Sequence, residues 1–238
     1  DTLNRPKQLL LLLLHGLLPV AIIHLQGDDG TALVMAVIFA AMLFTAGLSW
    51  KYILPVAAMI PPAAIVAWNF LLDDDKKNRI LAVIDPTLVE AADSWQQQRG
   101  LISIGNGGLW GNGVFMETGQ FRYVPEVYND FIFTYIGETV GFIGCLAVLL
   151  VLAFLCIRIL SNGLRAPDDL GKYICVGVFA MIGIQIIINI GMCLGMMPVI
   201  GVTLPFLSAG GTSTGTLYLA IGVVLSVYVH SGKDRLFG

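Results

Sequence analysis

Gly119-Gln-Phe-Arg-Tyr-Val-Pro125-Glu-Val-Tyr-Asn-Asp130-Phe-Ile-Phe-Thr-Tyr-Ile-Gly-Glu138 runs from a polar tract straight into an apolar one. Pro125 cannot sit inside a continuing helix, so Glu126 and its neighbours are forced out of one, and Asn129 or Asp130 is suited to N-cap the helix that follows. The apolar run from Phe131 to Leu160 is long enough to cross a membrane, which puts the Asp130 carboxylate at a membrane surface. On local chemistry alone Asp130 is either a helix cap or a functional acid. Glu138 lies two turns into the same run; an ionisable group at that depth is a candidate functional residue, set against a hydrogen-bonded structural glutamate.

Working outward, the rest of the chain has the same character. Of its 238 residues 57% are apolar and only 12% charged, with a mean hydropathy of +0.83, which a soluble core of this size does not need. Six stretches have the length and composition of membrane spans: 8–25, 31–49, 52–72, 131–160, 173–193 and 212–230. The reading is an all-α, polytopic membrane helix bundle forming one domain, with a long structured loop over 73–129 between the third and fourth spans. The first apolar run leads through Gln26-Gly-Asp-Asp-Gly30 into a second span, with no small-residue cleavage site, so a cleavable signal is not expected. Pro55, Pro61 and Pro62 predict a kinked third span. Cys145, Cys156, Cys175 and Cys193 all fall in spans without metal-type pairing and read as small packing residues.

Charge sets the expected orientation. Arg5, Lys7, Lys51, Arg158, Arg165, Lys172, Lys233 and Arg235 fall on one side of the six spans and mark it as cytoplasmic, together with both ends of the segment. The long loop then lies outside. Of the sixteen acids, Asp28, Asp29, Asp73, Asp74, Asp75, Asp85, Glu90, Asp93, Glu117, Glu126 and Asp130 share that outer side, and this one-sided acidity points to a divalent cation there. His15, inside the first span, reads as satisfied between helices.

The loop is too long to be a passive connection. Asp85-Pro86 reads as N-cap and N1 of a helix carrying Leu88, Ala91, Ala92, Trp95 and Ile102, which stops at Gly105-Asn-Gly107-Gly108. The glycines fit no phosphate-loop spacing and read as a helix stop with tight turns. Arg99 and Arg122 flank this tract and are the candidates for an anionic ligand. Between spans one and two, Asp28 and Asp29 lie in a turn that needs only one such residue. Between the last two, Asn189 to Ser213 is broken backbone, which a membrane tolerates where it is buried in protein or lines a cavity.

Four of these stretches together resemble the SEDS family (RodA, FtsW, SpoVE). They are Gln26-Gly-Asp28-Asp-Gly-Thr-Ala32; Trp95-Gln96 through Ile-Ser-Ile-Gly-Asn-Gly107-Gly108; Pro125-Glu126-x-x-x-Asp130-Phe-Ile-Phe with Ile-Gly-Glu138; and Pro205-Phe-Leu-Ser208-Ala-Gly210-Gly211-Thr. Gly27, Trp95, Ala209 and Thr212 depart from the residues usual in that family, and Thr139 stands where a second glutamate is frequent. The resemblance implies a glycosyltransferase that polymerises lipid II into peptidoglycan strands at the outer face of the bacterial cytoplasmic membrane, for elongation, division or sporulation. It implies Asp130 as the catalytic base, with Asp28, Glu138 and Glu126 in support. Arg99 and Arg122 are the diphosphate candidates, and Gln96, Gly107, Gly108, Pro205, Ser208, Gly210 and Gly211 shape the cavity. The implied reaction is an inverting transfer helped by Mg²⁺ or Mn²⁺, whose ligands stay unknown, with no organic cofactor. The implied partners are lipid II, the undecaprenyl-diphosphate-linked glycan, membrane lipids and a class B penicillin-binding protein, and no nucleic acid. Family members have about ten spans, of which this chain matches the last six, so the six alone are expected to be unstable and inactive. A lipid II flippase and a non-catalytic scaffold of the elongation or division complex are the alternatives. Acids gathered on one face rather than at mid-membrane favour surface chemistry over alternating access.

Overall fold

The computed structural model describes residues 3–115 and 119–237, without the side chains of 91–93 and 232–237. Glu117 lies outside the described residues, as do the side chains of Asp93, Lys233 and Arg235. Eight α-helices form among the described residues: α1 (Pro6–Leu25), α2 (Asp29–Thr45), α3 (Trp50–Phe70), α4 (Asp74–Ile84), α5 (Ala91–Gly107), α6 (Ile132–Leu164), α7 (Asp169–Cys193) and α8 (Gly211–Phe237). Single 3₁₀ turns occupy Pro86–Leu88 and Gln120–Tyr123.

Helices α1, α3, α6, α7 and α8 are long and apolar enough to cross a membrane, whereas α2, with 17 residues, is about 25 Å long. It stops short of the predicted Ser49 because Gly47 takes φ +86° and Ser49 instead caps α3, its hydroxyl accepting from Lys51 N. The core lies where α6, α7 and α8 meet, with α5 laid on α6 and α2 on α7. Phe131, Ile182, Met192 and Leu204 are fully buried there. By contrast α1 buries only Leu9 and α3 buries nothing, so both present apolar side chains outward, as lipid-facing helices do. The three prolines of α3 sit within one continuous helical run. His15, predicted to be satisfied between helices, is exposed on α1 instead: the side of α1 that meets α2 is the Gly16 side, where Phe39 packs.

The loop differs from its sequence reading at two places. The charged run from Asp73 starts a helix of its own, α4, with Asp74 and Asp75 in the first turn, where acids favour the positive helix end. Asp85-Pro86 opens only one 3₁₀ turn, its carboxylate accepting from Thr87 N at 2.9 Å, and the long helix starts later, at Ala91. Its predicted stop is where the glycines put it, with Gly108 at φ +53°.

Helix α6 is broken at Gly141 (φ +75°, ψ −170°), a conformation open essentially to glycine alone. In an unbroken helix the Phe142 and Ile143 amides would donate to the Glu138 and Thr139 carbonyls. Here they donate to the carbonyls of Gly108 (2.9 Å) and Leu109 (3.2 Å), while Glu138 and Thr139 accept from Asn112 N and Gly113 N, both at 2.9 Å. The loop 108–113 therefore fills the break and supplies partners for these four freed backbone groups, as non-aqueous surroundings demand. Just below, Gly107 and Gly137 touch backbone to backbone: a Cβ on Gly107 would lie 1.9 Å from the Gly137 carbonyl oxygen.

The break decides where the start of α6 ends up. Asn189 is 20 residues, about 30 Å, along α7 from Asp169, whereas Asp130 would stand 34 residues, about 51 Å, from Leu164 along a straight α6. The two helices share a short hairpin, so a straight α6 would hold Asp130 about 20 Å beyond Asn189. Instead Asn189 hydrogen-bonds the Asp130 carbonyl at 2.7 Å. The stub 132–140 folds back at Gly141 to bring this about.

Candidate active site

The turn 125–131 is held almost entirely through its carbonyls. Gln96 Nε2 of α5 donates to Pro125 O (3.0 Å), and Asn129 N and Phe131 N donate to Glu126 O. Three successive carbonyls then accept from the far side: Tyr128 O from Ala209 N (2.8 Å), Asn129 O from Ser208 Oγ (2.6 Å) and Asp130 O from Asn189 Nδ2 (2.7 Å). Ser208 is buried and also accepts from Leu204 N (2.7 Å), and Pro205 between them is fully buried. Asn189, fully buried in α7, uses its other amide hydrogen on Val202 O (2.7 Å), so one side chain joins the turn to the broken segment 194–210. Both hydrogens of that amide are satisfied.

This arrangement leaves the Asp130 carboxylate without a structural task. The cap expected of Asn129 or Asp130 does not form: Phe131 occupies the N-cap position, with no side-chain cap bond, and Asn129 Nδ2 donates instead to the Glu126 carboxylate at 2.6 Å. Glu126, directly after Pro125, takes φ +52°, and its carbonyl closes the turn through the backbone rather than through a side-chain cap. Asp130 is half-buried, and its Oδ2 faces Gly201, where a Cβ would lie 3.5 Å away. Burial raises its pKa above the ordinary carboxylate value, and the negative Glu126 four residues earlier raises it further.

The other predicted residues fall into three groups around this turn. Glu138, Gly107 and Gly108 belong to the seam between α5 and α6. Glu138 is fully buried, and its carboxylate accepts from Gln120 N and Phe121 N, each at 2.7 Å, and from the Ser103 hydroxyl. Its oxygens thus staple the 120–123 turn to both helices. Arg99 lies against the rings of Trp95 (5.6 Å) and Tyr123 (5.8 Å) and reaches Gln120 Oε1 at 3.5 Å, while Arg122 is exposed on the same turn. Asp28 sits across the 198–202 segment from Asp130 and caps α2, accepting from Thr31 N at 2.9 Å. Its neighbour Asp29 pairs with Lys76 of α4 at 2.8 Å and with His24 at 2.6 Å. Asp28, Asp29 and Lys76 line a recess of about 170 Å³ with Arg79, whose guanidinium donates to Val199 O. Gly210 and Gly211 are exposed at the start of α8, and a Cβ on Gly211 would meet open space.

Three residues without an assigned role in the sequence reading hold the site: Asn189, Gln97 and Gly141. Asn189 is an amide within an apolar run, and that was its signal, whereas Gln97 stands between Gln96 and Gln98 and carried none; buried Gln97 donates to the carbonyls of both Met192 and Met197, fixing the end of α7 to α5. For a cation, no three His, Cys, Asp or Glu side chains gather as a cage among the described residues. Glu126 and Asp130 form a pair on one turn. Such a pair suits Mg²⁺, which keeps several waters and takes one or two carboxylates together with substrate phosphates.

The comparisons with known proteins agree with this architecture. The chain is 33% identical over 218 residues to the peptidoglycan glycosyltransferase MrdB of Escherichia coli (strain K12), covering 90% of this chain and 58% of that protein. It is 37% identical over 210 residues to the stage V sporulation protein E of Bacillus subtilis (strain 168), covering 88% and 57%. In three dimensions it is similar to a chain of a solved peptidoglycan synthase complex that coordinates polymerization and crosslinking, with TM-score 0.80 and 27% identity over 97% of this chain and 64% of that one. The chain therefore spans somewhat over half the length of the curated relatives it matches. The family model described as cell cycle protein, FtsW/RodA/SpoVE, matches residues 1–233, and this multi-pass membrane chain belongs to that family.

Proposed function

We propose that this chain carries the reacting face of a peptidoglycan glycosyltransferase that polymerises lipid II at the outer side of the cytoplasmic membrane, with both ends of the segment on the cytoplasmic side. The observation that carries the reading is the turn 128–130: its three carbonyls are all engaged from α7 and the 204–209 segment, and its one carboxylate is left uncapped and half-buried. Relatives named peptidoglycan glycosyltransferase and the likeness to a synthase complex support the substrate class and a crosslinking penicillin-binding partner.

In this reading the 4-hydroxyl of a lipid II sugar attacks the anomeric carbon of the growing strand. The new C–O bond forms as the bond to undecaprenyl diphosphate breaks, with inversion, and the hydroxyl proton passes to Asp130. A base whose pKa lies above the usual carboxylate value is better matched to that proton. The departing diphosphate needs positive charge. Of the two candidate arginines, Arg99 is held by Trp95, Tyr123 and Gln120. Glu126 would hold a divalent cation, leaving Asp130 to take the proton, and the cation when bound would supply further positive charge for the diphosphate.

The test is lipid II polymerisation in detergent, where there are no two sides to transport between. The complete protein should make glycan strands on a gel, and Asp130→Asn should lose about 10²–10⁴-fold in rate, the usual worth of a positioned base. Near-normal polymer from Asp130→Asn would remove the base assignment, and vesicle transport without polymer under any condition would replace the polymerase with a flippase.

A further inference from the structure

The segment that fills the break in α6 carries an exposed apolar surface that the reaction does not use. Gly108-Leu-Trp-Gly-Asn-Gly-Val-Phe115 holds no charge, and Trp110 is 79% and Phe115 98% exposed, with Leu109 and Val114 also exposed. Its backbone is fixed to α6 by the four hydrogen bonds at Gly141, and Phe142 of α6 continues the patch. Its depth follows from the helix itself. From Phe142 to Leu164 α6 runs 23 residues, about 34 Å, which matches a hydrocarbon core of about 30 Å. The other end of that stretch is marked by Arg165, directly after Leu164. Gly141, and with it the loop tip, thus falls at the membrane–water boundary on the loop side, where tryptophan is enriched.

We propose that Leu109, Trp110, Val114 and Phe115 form an interfacial anchor seated in the outer lipid leaflet. Being tied to both sides of the Gly141 break, it fixes the tilt of the 132–140 stub, and so the height of Asp130, relative to the bilayer. The proposal concerns a lipid contact and stands whether or not the chain is a polymerase. A patch this apolar on a water-facing loop would be costly, whereas the boundary accommodates an indole with one polar and one apolar edge.

The test uses the complete protein in phosphatidylcholine vesicles, with the other tryptophans, Trp50, Trp68 and Trp95 included, replaced by phenylalanine. Trp110 emission should be blue-shifted and should lose most of its intensity to lipids brominated near the headgroup end of the acyl chains, but little to aqueous iodide. If the multiple variant folds poorly, the difference between the natural protein and Trp110→Phe reads the same quantity. Strong iodide quenching with no response to brominated lipid would overturn the proposal in favour of a solvated loop. Shielding from both quenchers would overturn it in favour of a protein contact.

Discussion

Replacing Gly141 by alanine tests the link between the broken helix and the site. At φ +75°, ψ −170° a side chain costs about 1–3 kcal/mol in backbone strain. The added Cβ would lie 2.3 Å from Gly111 N and 2.7 Å from the Leu109 carbonyl. Those atoms are backbone and cannot turn aside as a flexible side chain would, so overpacking adds about 1–3 kcal/mol. The total, about 2–6 kcal/mol, is a large part of an ordinary stability of about 5–15 kcal/mol. The chain has one way out, which is to straighten α6. That regains two helical hydrogen bonds, but it strips the partners from Gly108 O, Leu109 O, Asn112 N and Gly113 N and lifts Asp130 away from Asn189. Gly141→Ala should therefore lower Tm in detergent by about 5–20 °C and abolish lipid II polymerisation. Gly183→Ala is the control, because a Cβ there meets open space. A Gly141→Ala protein with the natural Tm and turnover would refute the argument that the break positions Asp130.

Four further outcomes follow. Because the folded-state pKa of Asp130 is raised, the native state holds its proton more tightly than the unfolded chain, so its ionisation lowers stability as pH rises through the ordinary value of 3.8 and the raised one. Asp130→Asn should then have the higher Tm at neutral pH, with the advantage shrinking in acid; identical melting at every pH would contradict this. Asn189→Leu strands the carbonyls of Asp130 and Val202, costing about 1–3 kcal/mol each and most of the activity; chemical denaturation and the gel assay check both. Glu138→Gln loses charge-assisted bonds from Gln120 N and Phe121 N worth about 1.5–3 kcal/mol each, yet turnover per folded molecule should hold, because Glu138 staples rather than reacts. Chelation should lower polymerisation and Mg²⁺ or Mn²⁺ restore it, and activity indifferent to thorough EDTA treatment would count against a cation at Glu126.

Much of this protein is legible without coordinates, because a bilayer imposes length and polarity so strictly. The boundaries of α1 and α3 and the end of α7 follow from apolar runs bounded by polar ones, although α7 starts four residues before its apolar run, capped by Asp168, and the glycines at 105–108 announce the end of α5 through their backbone freedom. The place of the Asp130 carboxylate between a proline-interrupted turn and a span is also legible, and local chemistry reads it as either a helix cap or a functional acid. What the sequence left open was whether that carboxylate caps α6. Tertiary structure decided it: Asn189, Ser208 and Ala209, about 60 to 80 residues further along, hold the turn by its carbonyls, so no cap is required. Gly141 shows the same division. Inside an apolar run a glycine costs a helix only about 1 kcal/mol and signals no break. The break exists because a loop thirty residues upstream supplies the four hydrogen bonds that the membrane would otherwise leave unmade, and local sequence has no means of recording that pairing.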